Sequence, residues 1–311
     1  MPGQSYTDIL QGLPDQFNPK VDGRTLILDA DSIAYKCAAT VKRLDTAINK
    51  FHMMVLEQKF LAEAEYCIAH LTAADSQKTN RGNILGWRTY QGNRKKNERP
   101  ELLEPLREAV SSEEFSIPEY TCMLHRVLEA DDACMIDSYR LKENGVLHSE
   151  DKDLRQTIYP FADPYTGQHI TAEGIGSVWM HVTDGGSYDI HGIGRLFFWA
   201  QMLRGDTADH IRGLDKYEGK NIGPVVTLEL LEQFNNQPVE AESEVANLVL
   251  EAYMEIDQNP LPEGYLLHMM RGFGDSFMDV LEGLDIRPKI RDFIYQDCLQ
   301  RPWFKTEGVA K

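Results

Sequence analysis

No run of about 18 consecutive apolar residues occurs in the 311-residue chain, so no membrane-spanning helix is expected. The start, MPGQSYTDILQGLPDQF, has no basic end followed by an apolar stretch, and no secretory signal is expected there. Cysteine is scarce and unpatterned. Cys37, Cys67, Cys122, Cys134 and Cys298 are odd in number and lack metal-ligand spacing, which fits reduced thiols in a cytoplasmic protein rather than a disulfide framework. Positive charge is also short. Thirty-two Lys and Arg face 49 Asp and Glu, a formal −17 that taken alone argues against a polyanionic partner. No break in composition marks a linker, although a chain of this length that is 42% hydrophobic can bury a large core or two.

What is present is a rhythm of apolar runs that end in acids. RTLILDADS reads as a buried strand ending at Asp29, YCIAHLTAAD as a second ending near Asp75, TCMLHRV as a third, and GVLHSEDKD as a fourth ending at Asp151 and Asp153. Between them, LDTAINKFHMMVLEQKFLAEAE sets Leu44, Ile48, Phe51 and Val55 on one helical face, and EADDACMIDSYRLKENG is a helix with a glycine stop. Strand–helix alternation predicts an α/β fold with a mainly parallel central sheet flanked by helices, whose sites lie at the carboxyl ends of the strands. Further on, SVWMHV and GSYDI flank the turn TDGG as a hairpin, and HGIGRLFFWAQML reads as a helix. VANLVLEAYMEI and GYLLHMMRGFGDSFMDVL predict amphipathic helices whose methionines belong to the core. His191 reads as structural.

In a parallel sheet, Asp29, Asp75, Asp151 and Asp153 arrive at one edge, joined by Glu129, Asp131 and Asp132 at the start of a helix. Glu129 and Asp132 are spaced to share a helix face. Any one of these acids could serve equally as a cap or turn residue, and Asp31 fits best as a cap for a helix starting near Ser32. As a set they repel one another, and a divalent ion with a preference for oxygen, Mg²⁺ or Mn²⁺, is the economical way to neutralise them. Two such ions about 4 Å apart suit phosphoryl transfer. Against this acidic background, residues 81–99 (RGNILGWRTYQGNRKKNER) concentrate Arg81, Arg88, Arg94, Lys95, Lys96 and Arg99 around Trp87 and Tyr90. Such a segment is either a solvated basic loop or a contact for phosphate and bases.

In this order LILDAD, YQGNRKK, LEADDA, HSEDKDL and RGDTADHIRGL resemble the motifs of the 5′-nuclease superfamily, the flap endonucleases and 5′→3′ exonucleases, closest to compact bacterial and tailed-phage members. The likeness runs across residues 25–235. It implies a PIN/5′-nuclease-like core over residues 1–195, with a basic clamp at 76–100. Residues 196–311 would then carry a helix–hairpin–helix element and C-terminal helices. It implies two divalent metals, Mg²⁺ foremost and Mn²⁺ as the alternative, held by Asp29, Asp75, Glu129, Asp131, Asp132, Asp151, Asp153, Asp206 and Asp209, with a monovalent K⁺ at the helix–hairpin–helix. Asp29 and Asp75 would act in catalysis with Arg88, Arg94 and Lys95. DNA would be held by Arg81, Tyr90, Gln91, Arg94, Lys95, Lys96, Gly213, Lys220 and Gly223, with NIGP as the hairpin, Gly223 at its tight turn and VVTLELLEQF as the second helix. The implied partner is DNA with a free 5′ end, as flap or duplex. The implied state is a monomer in the cytoplasm, that of the host if a phage encodes it.

Two departures stand out. The family usually carries Tyr-Lys at the basic segment, with the lysine on the scissile phosphate, whereas this chain has Tyr90-Gln91, and a neutral amide cannot offset transition-state charge as an ammonium does. The hairpin region carries the extra residues DKYEGK, and Val225 stands where a lysine is frequent, with Lys216 and Lys220 available nearby. Two rival readings follow: a catalytically silent DNA-binding relative, suggested by Gln91, and a haloacid-dehalogenase-type phosphatase, suggested by Asp29-Ala30-Asp31.

Overall fold

The computed structural model describes residues 20–92, 99–164, 167–183 and 185–305. Four strands, β1 (Val21–Asp29), β2 (Ala64–Thr72), β3 (Thr121–His125) and β4 (Gly145–His148), run parallel in a six-stranded sheet whose parallel part takes in a fifth. The order is β3-β2-β1-β4-β5-β6, with β5 (Phe161–Ala162) parallel to β4 and β6 (His169–Ile170) antiparallel to β5. This is the mainly parallel α/β sheet that the alternating pattern predicts.

From Thr25 onward both faces of β1 are dry, as a strand covered by crossover helices requires. Leu26 and Leu28 point into a cluster with α1 (Asp31–Thr40) and α2 (Leu44–Leu61), while Ile27, between them, points into a second cluster with Cys134 and Met135 of α4 (Ala130–Leu141). The period of two thus serves two cores from one strand. Helix α2 buries Ala47, Ile48, Phe51 and Val55, with Leu44 half-buried at its start. Helix α3 (Leu103–Val110) closes the first cluster through Leu103, Leu106 and Val110.

The largest apolar cluster lies in the C-terminal part. Its centre is α5 (Arg195–Arg204), in which every residue from Leu196 to Leu203 is buried. A helix apolar all round must be surrounded. It is enclosed by α6 (Pro224–Leu231), α7 (Glu242–Glu255), α8 (Leu261–Leu267) and the antiparallel hairpin β7–β8 (Ser177–Val182, Tyr188–Ile193), which contributes Val178 and Ile190. Among the described residues no helix is long and apolar enough to cross a membrane.

Two expectations are corrected here. Residues 264–281 are not one continuous helix: α8 stops at Leu267, and α9 (Phe277–Glu282) starts afresh behind a capping box of Ser276 and Asp279. Between them Gly274 takes φ +84°, which no helix continues. The helix–hairpin–helix is not formed as expected either. Residues 205–223 join α5 to α6 through two short antiparallel bridges, Asp206 with Ile211 and Tyr217 with Lys220. Gly223 is extended (φ −117°) as the residue before α6, whose start is set by Pro224, and makes no left-handed turn.

The left-handed glycines that matter are Gly205 (φ +70°) and Gly213 (φ +73°), at the two ends of the Asp206–Ile211 turn. A Cβ on Gly213 would lie 2.2 Å from the Gly205 nitrogen, so the two backbones meet at a distance only hydrogen permits. Gly213→Ala is expected to cost about 2 kcal/mol or more, strain and clash together. A urea midpoint equal to that of the parent would contradict this packing.

Candidate metal centre

Because β1–β4 run parallel, their carboxyl ends share one edge, and the acids after them meet in a cleft there. Asp29, Glu129, Asp131, Asp151 and Asp209 line it together with Asp31. Asp151, Asp206 and Asp209 line an adjoining cleft that also takes in His191. Several separate segments of chain therefore deliver their acids to one place.

The acids are held by nearby backbone N–H groups and by side chains from other segments. Asp29 accepts from the Ser149 hydroxyl at 2.7 Å and from the Asp31 N–H at 3.1 Å. Asp151 accepts from the Asp153 N–H at 2.9 Å, capping the 3₁₀ turn Lys152–Gln156. Asp153 is buried and accepts from the Gln201 amide of α5 at 2.5 Å; Gln201 in turn accepts from Gln156 at 2.7 Å. Asp206 accepts from the Ala208 N–H at 2.9 Å inside its turn and meets Lys152 Nζ at 3.1 Å.

The electrostatics reflect crowding. Burial, helped by Asp31 and Asp151, raises the Asp29 carboxyl to about 7. Asp131 is pushed well above the ordinary range by burial and then by Asp29, Asp151 and Glu129. Asp153 is pushed up likewise by burial, Asp151 and Asp206, and Asp151 moves up through burial, Asp209 and Asp206. Carboxylates in this state strain the fold when ionised and suit a hard divalent cation. Among the described residues no three Asp, Glu, His or Cys side chains are already drawn into one coordination sphere, so the donor chemistry fits such an ion while the side chains have still to turn onto it.

Three expected roles are corrected. Asp132 is fully buried and faces away from the cleft: Arg81 Nη1 and Nη2 each reach it at 2.8 Å, Thr79 Oγ1 donates at 2.5 Å and the Met270 N–H at 3.2 Å, holding its carboxyl below the usual range despite burial. Glu129 is the extended residue just before α4 and does not share a helix face with Asp132; both meet Arg81, at 2.7 Å from Glu129, while Glu129 also lines the cleft. Arg81, expected on the DNA surface, is 3% exposed and also donates to the His268 carbonyl at 2.9 Å. Asp75 does not reach the cleft. Its side chain is 69% exposed and pairs with Arg126, because β2 ends at Thr72 and the chain has turned outward by residue 75.

Of the remaining expected contacts, Tyr90 donates to Glu129 at 3.2 Å, Arg88 and Lys220 are exposed, and Trp87 is exposed with the Arg212 guanidinium stacked 4.3 Å over its ring. Arg94, Lys95 and Lys96 lie outside the described residues. Four residues of the site escaped the sequence reading. Asp31 is no cap; it accepts from the Thr72 N–H at 3.2 Å and from Arg107 at 2.8 Å at the cleft wall. Arg107 and Lys78 line the cleft without any motif to flag them. Gln201 did carry a signal, as a lone amide in the apolar run LFFWAQML.

No protein-family model and no curated protein matched the chain. Solved structures similar to it include the following three. One is the bacteriophage T5 D15 protein co-crystallised with metal ions (18% identity, 68% of this chain and 76% of that one, TM-score 0.46). Another is the T5 5′-exonuclease with zinc as the bound divalent ion (16% identity, 83% and 99%, TM-score 0.45). The third is the T5 D15 flap endonuclease in a pseudo-enzyme–product complex with DNA and metal ions (14% identity, 83% and 98%, TM-score 0.43).

Asp132→Asn should cost about 3 kcal/mol, because it leaves Arg81 buried with half its anionic partners; a denaturation midpoint within experimental scatter of the parent would sink that assignment. Asp29 predicts a pH signature. Its folded pKa stands above the unfolded value, so its contribution is intact below about pH 4 and is lost as pH rises towards 7. In chelator, Asp29→Asn should therefore gain in Tm on the parent across that window, and millimolar Mg²⁺ should abolish the advantage.

Proposed function

We propose that the chain is a metal-dependent 5′ nuclease that hydrolyses phosphodiester bonds of DNA bearing a free 5′ end, as a flap or duplex. The observation that carries this reading is the cleft at the carboxyl edge of the parallel sheet, where Asp29, Asp131, Asp151 and Asp153 are crowded until burial and mutual repulsion raise their carboxyls. The order of the motifs along the chain supports the same reading. Asp29, Asp131 and Asp151, with Glu129 at their edge, would hold one divalent ion, and Asp153, Asp206 and Asp209 a second. When bound, such ions supply a nucleophilic water at neutral pH and neutralise the phosphate.

The chain's own groups account for the rest. The Ser149 hydroxyl and the Gln201 amide tether Asp29 and Asp153, which limits how far each carboxylate has to turn onto an ion. Arg107, Arg99 and Lys78 give one wall of the cleft the positive charge that a polyanion requires. The phosphatase reading leaves Asp153, Asp206 and Asp209 without a purpose, and the silent-relative reading leaves the crowding of Asp131 unexplained.

The experiment is a gel assay with 5′- and 3′-labelled flap and duplex DNA, in Mg²⁺ and in chelator. Metal-dependent release from the 5′ end is expected. Asp131→Asn should slow cleavage by about 100-fold or more while DNA binding persists, since it removes a ligand and not a DNA contact. Cleavage that continues unchanged in chelator would overturn the metal assignment.

A further inference from the structure

Lys78 is the lysine of the cleft lined by Asp29, Glu129 and Asp131, and its surroundings are built to hold it there; Lys152, in the adjoining cleft, is paired with Asp206 at 3.1 Å. Lys78, Thr79 and Asn80 take φ +51°, +54° and +59° in succession, a left-handed run without glycine. Each such residue costs on the order of 1 kcal/mol, and the run persists only because neighbours impose it. Backbone N–H groups of Gln77 and Thr79 donate to Arg126 and Val127 carbonyls at 2.9 Å, Ser76 Oγ receives the Lys78 N–H at 3.2 Å and itself donates to the Leu128 carbonyl, and Thr79 Oγ1 is tied to Asp132. The turn is thus stitched to the segment that leads into Glu129.

The side chain completes the picture. Lys78 Nζ donates to Gln91 Oε1 at 3.0 Å and stands 3.5 Å from Glu129 Oε1, with about a third of its side chain exposed. Gln91 is fixed in turn by its N–H to the Asp209 carbonyl at 2.9 Å. The other cations of the wall are committed elsewhere: Arg107 to Asp31 and Glu104, and Arg99 to Glu104 in a largely exposed pair. An ammonium has three donors, and the amide takes one.

On the nuclease reading above, we propose that Lys78 is a catalytic residue whose ammonium, positioned by Gln91, donates to a non-bridging oxygen of the scissile phosphate. Its Nζ stands 3.0 Å from Gln91 Oε1, next to the residue at which this chain departs from the expected Tyr-Lys. Lys78 transfers no proton. The bond from phosphorus to the attacking water oxygen forms as that water gives a proton to solvent, the bond to the leaving sugar oxygen breaks with its electron pair going to that oxygen, which takes a proton from solvent, and the charge gathering on the non-bridging oxygens is met by the ammonium.

The test is single-turnover cleavage of a 5′-labelled flap in Mg²⁺ by the parent, Lys78→Met, Lys78→Arg and the double variant Lys78→Met/Gln91→Lys, with DNA binding measured in Ca²⁺ and folding checked by circular dichroism. Lys78→Met should lose about 100-fold or more in the cleavage rate with DNA affinity within about threefold, and Lys78→Arg should retain part of the rate. Adding Gln91→Lys to Lys78→Met should recover at least about tenfold, which a merely structural lysine would not allow. Lys78→Met cleaving at the parental rate overturns the assignment, as does a loss that Gln91→Lys leaves untouched. A parent that cleaves nothing, with binding intact, overturns the nuclease reading itself and is separable from either result.

Discussion

The buried ion pair of Arg81 with Asp132 is the contact on which the rest of the arrangement depends. One guanidinium gathers Asp132, Glu129 and the His268 carbonyl, so it ties the start of α4 to residues 78–83 on one side and to the end of α8 on the other. Removing either partner strands a charge in a dry interior, at a cost of several kcal/mol. The same pair sets which acid faces the cleft. With Asp132 turned inward, its neighbour Asp131 is left on the opposite side of the first turn, among Asp29, Asp151 and Asp31.

The cleft is therefore a balance between two treatments of carboxylates. Two are matched by cations: Asp31 by Arg107 at the wall, and the buried Asp206 by Lys152. Those at the centre are matched by hydrogen bonds from Ser149, Gln201 and backbone N–H groups, which orient a carboxylate without cancelling its charge. Orientation without neutralisation is what a site for a divalent ion needs, because a resident lysine or arginine at the centre would compete for it.

Much of this could be read from the sequence, and the exceptions share a cause. The apolar runs that end in Asp29 and Asp151 identified the strands, because a parallel strand buried on both faces leaves little choice of residue. The acids gathered at one edge because strand direction is a property of topology. Asp75 misled because the run YCIAHLTAAD continues apolar past the end of the strand, and only small residues separate Thr72 from the turn. Asp132 and Arg81 misled because a local spacing of three suggests a shared helix face, whereas Glu129 precedes the helix and the partner of Asp132 comes from 51 residues away. Lys78 was invisible because a left-handed turn made of Lys, Thr and Asn carries no glycine to announce it, and 264–281 looked continuous because its methionines and leucines keep a helical period across Gly272 and Gly274.

The Arg81 hub also has a bearing on how the protein is made. Its carbonyl partner, His268, and the N–H of Met270 that steadies Asp132 lie near the far end of the chain. On a ribosome the sheet and its acids emerge long before either. Until residue 270 clears the exit tunnel, Arg81 and Asp132 lack their closing bonds and α4 has no fixed seat against the C-terminal helices. The contact that seats α4 is thus among the last that the growing chain can complete.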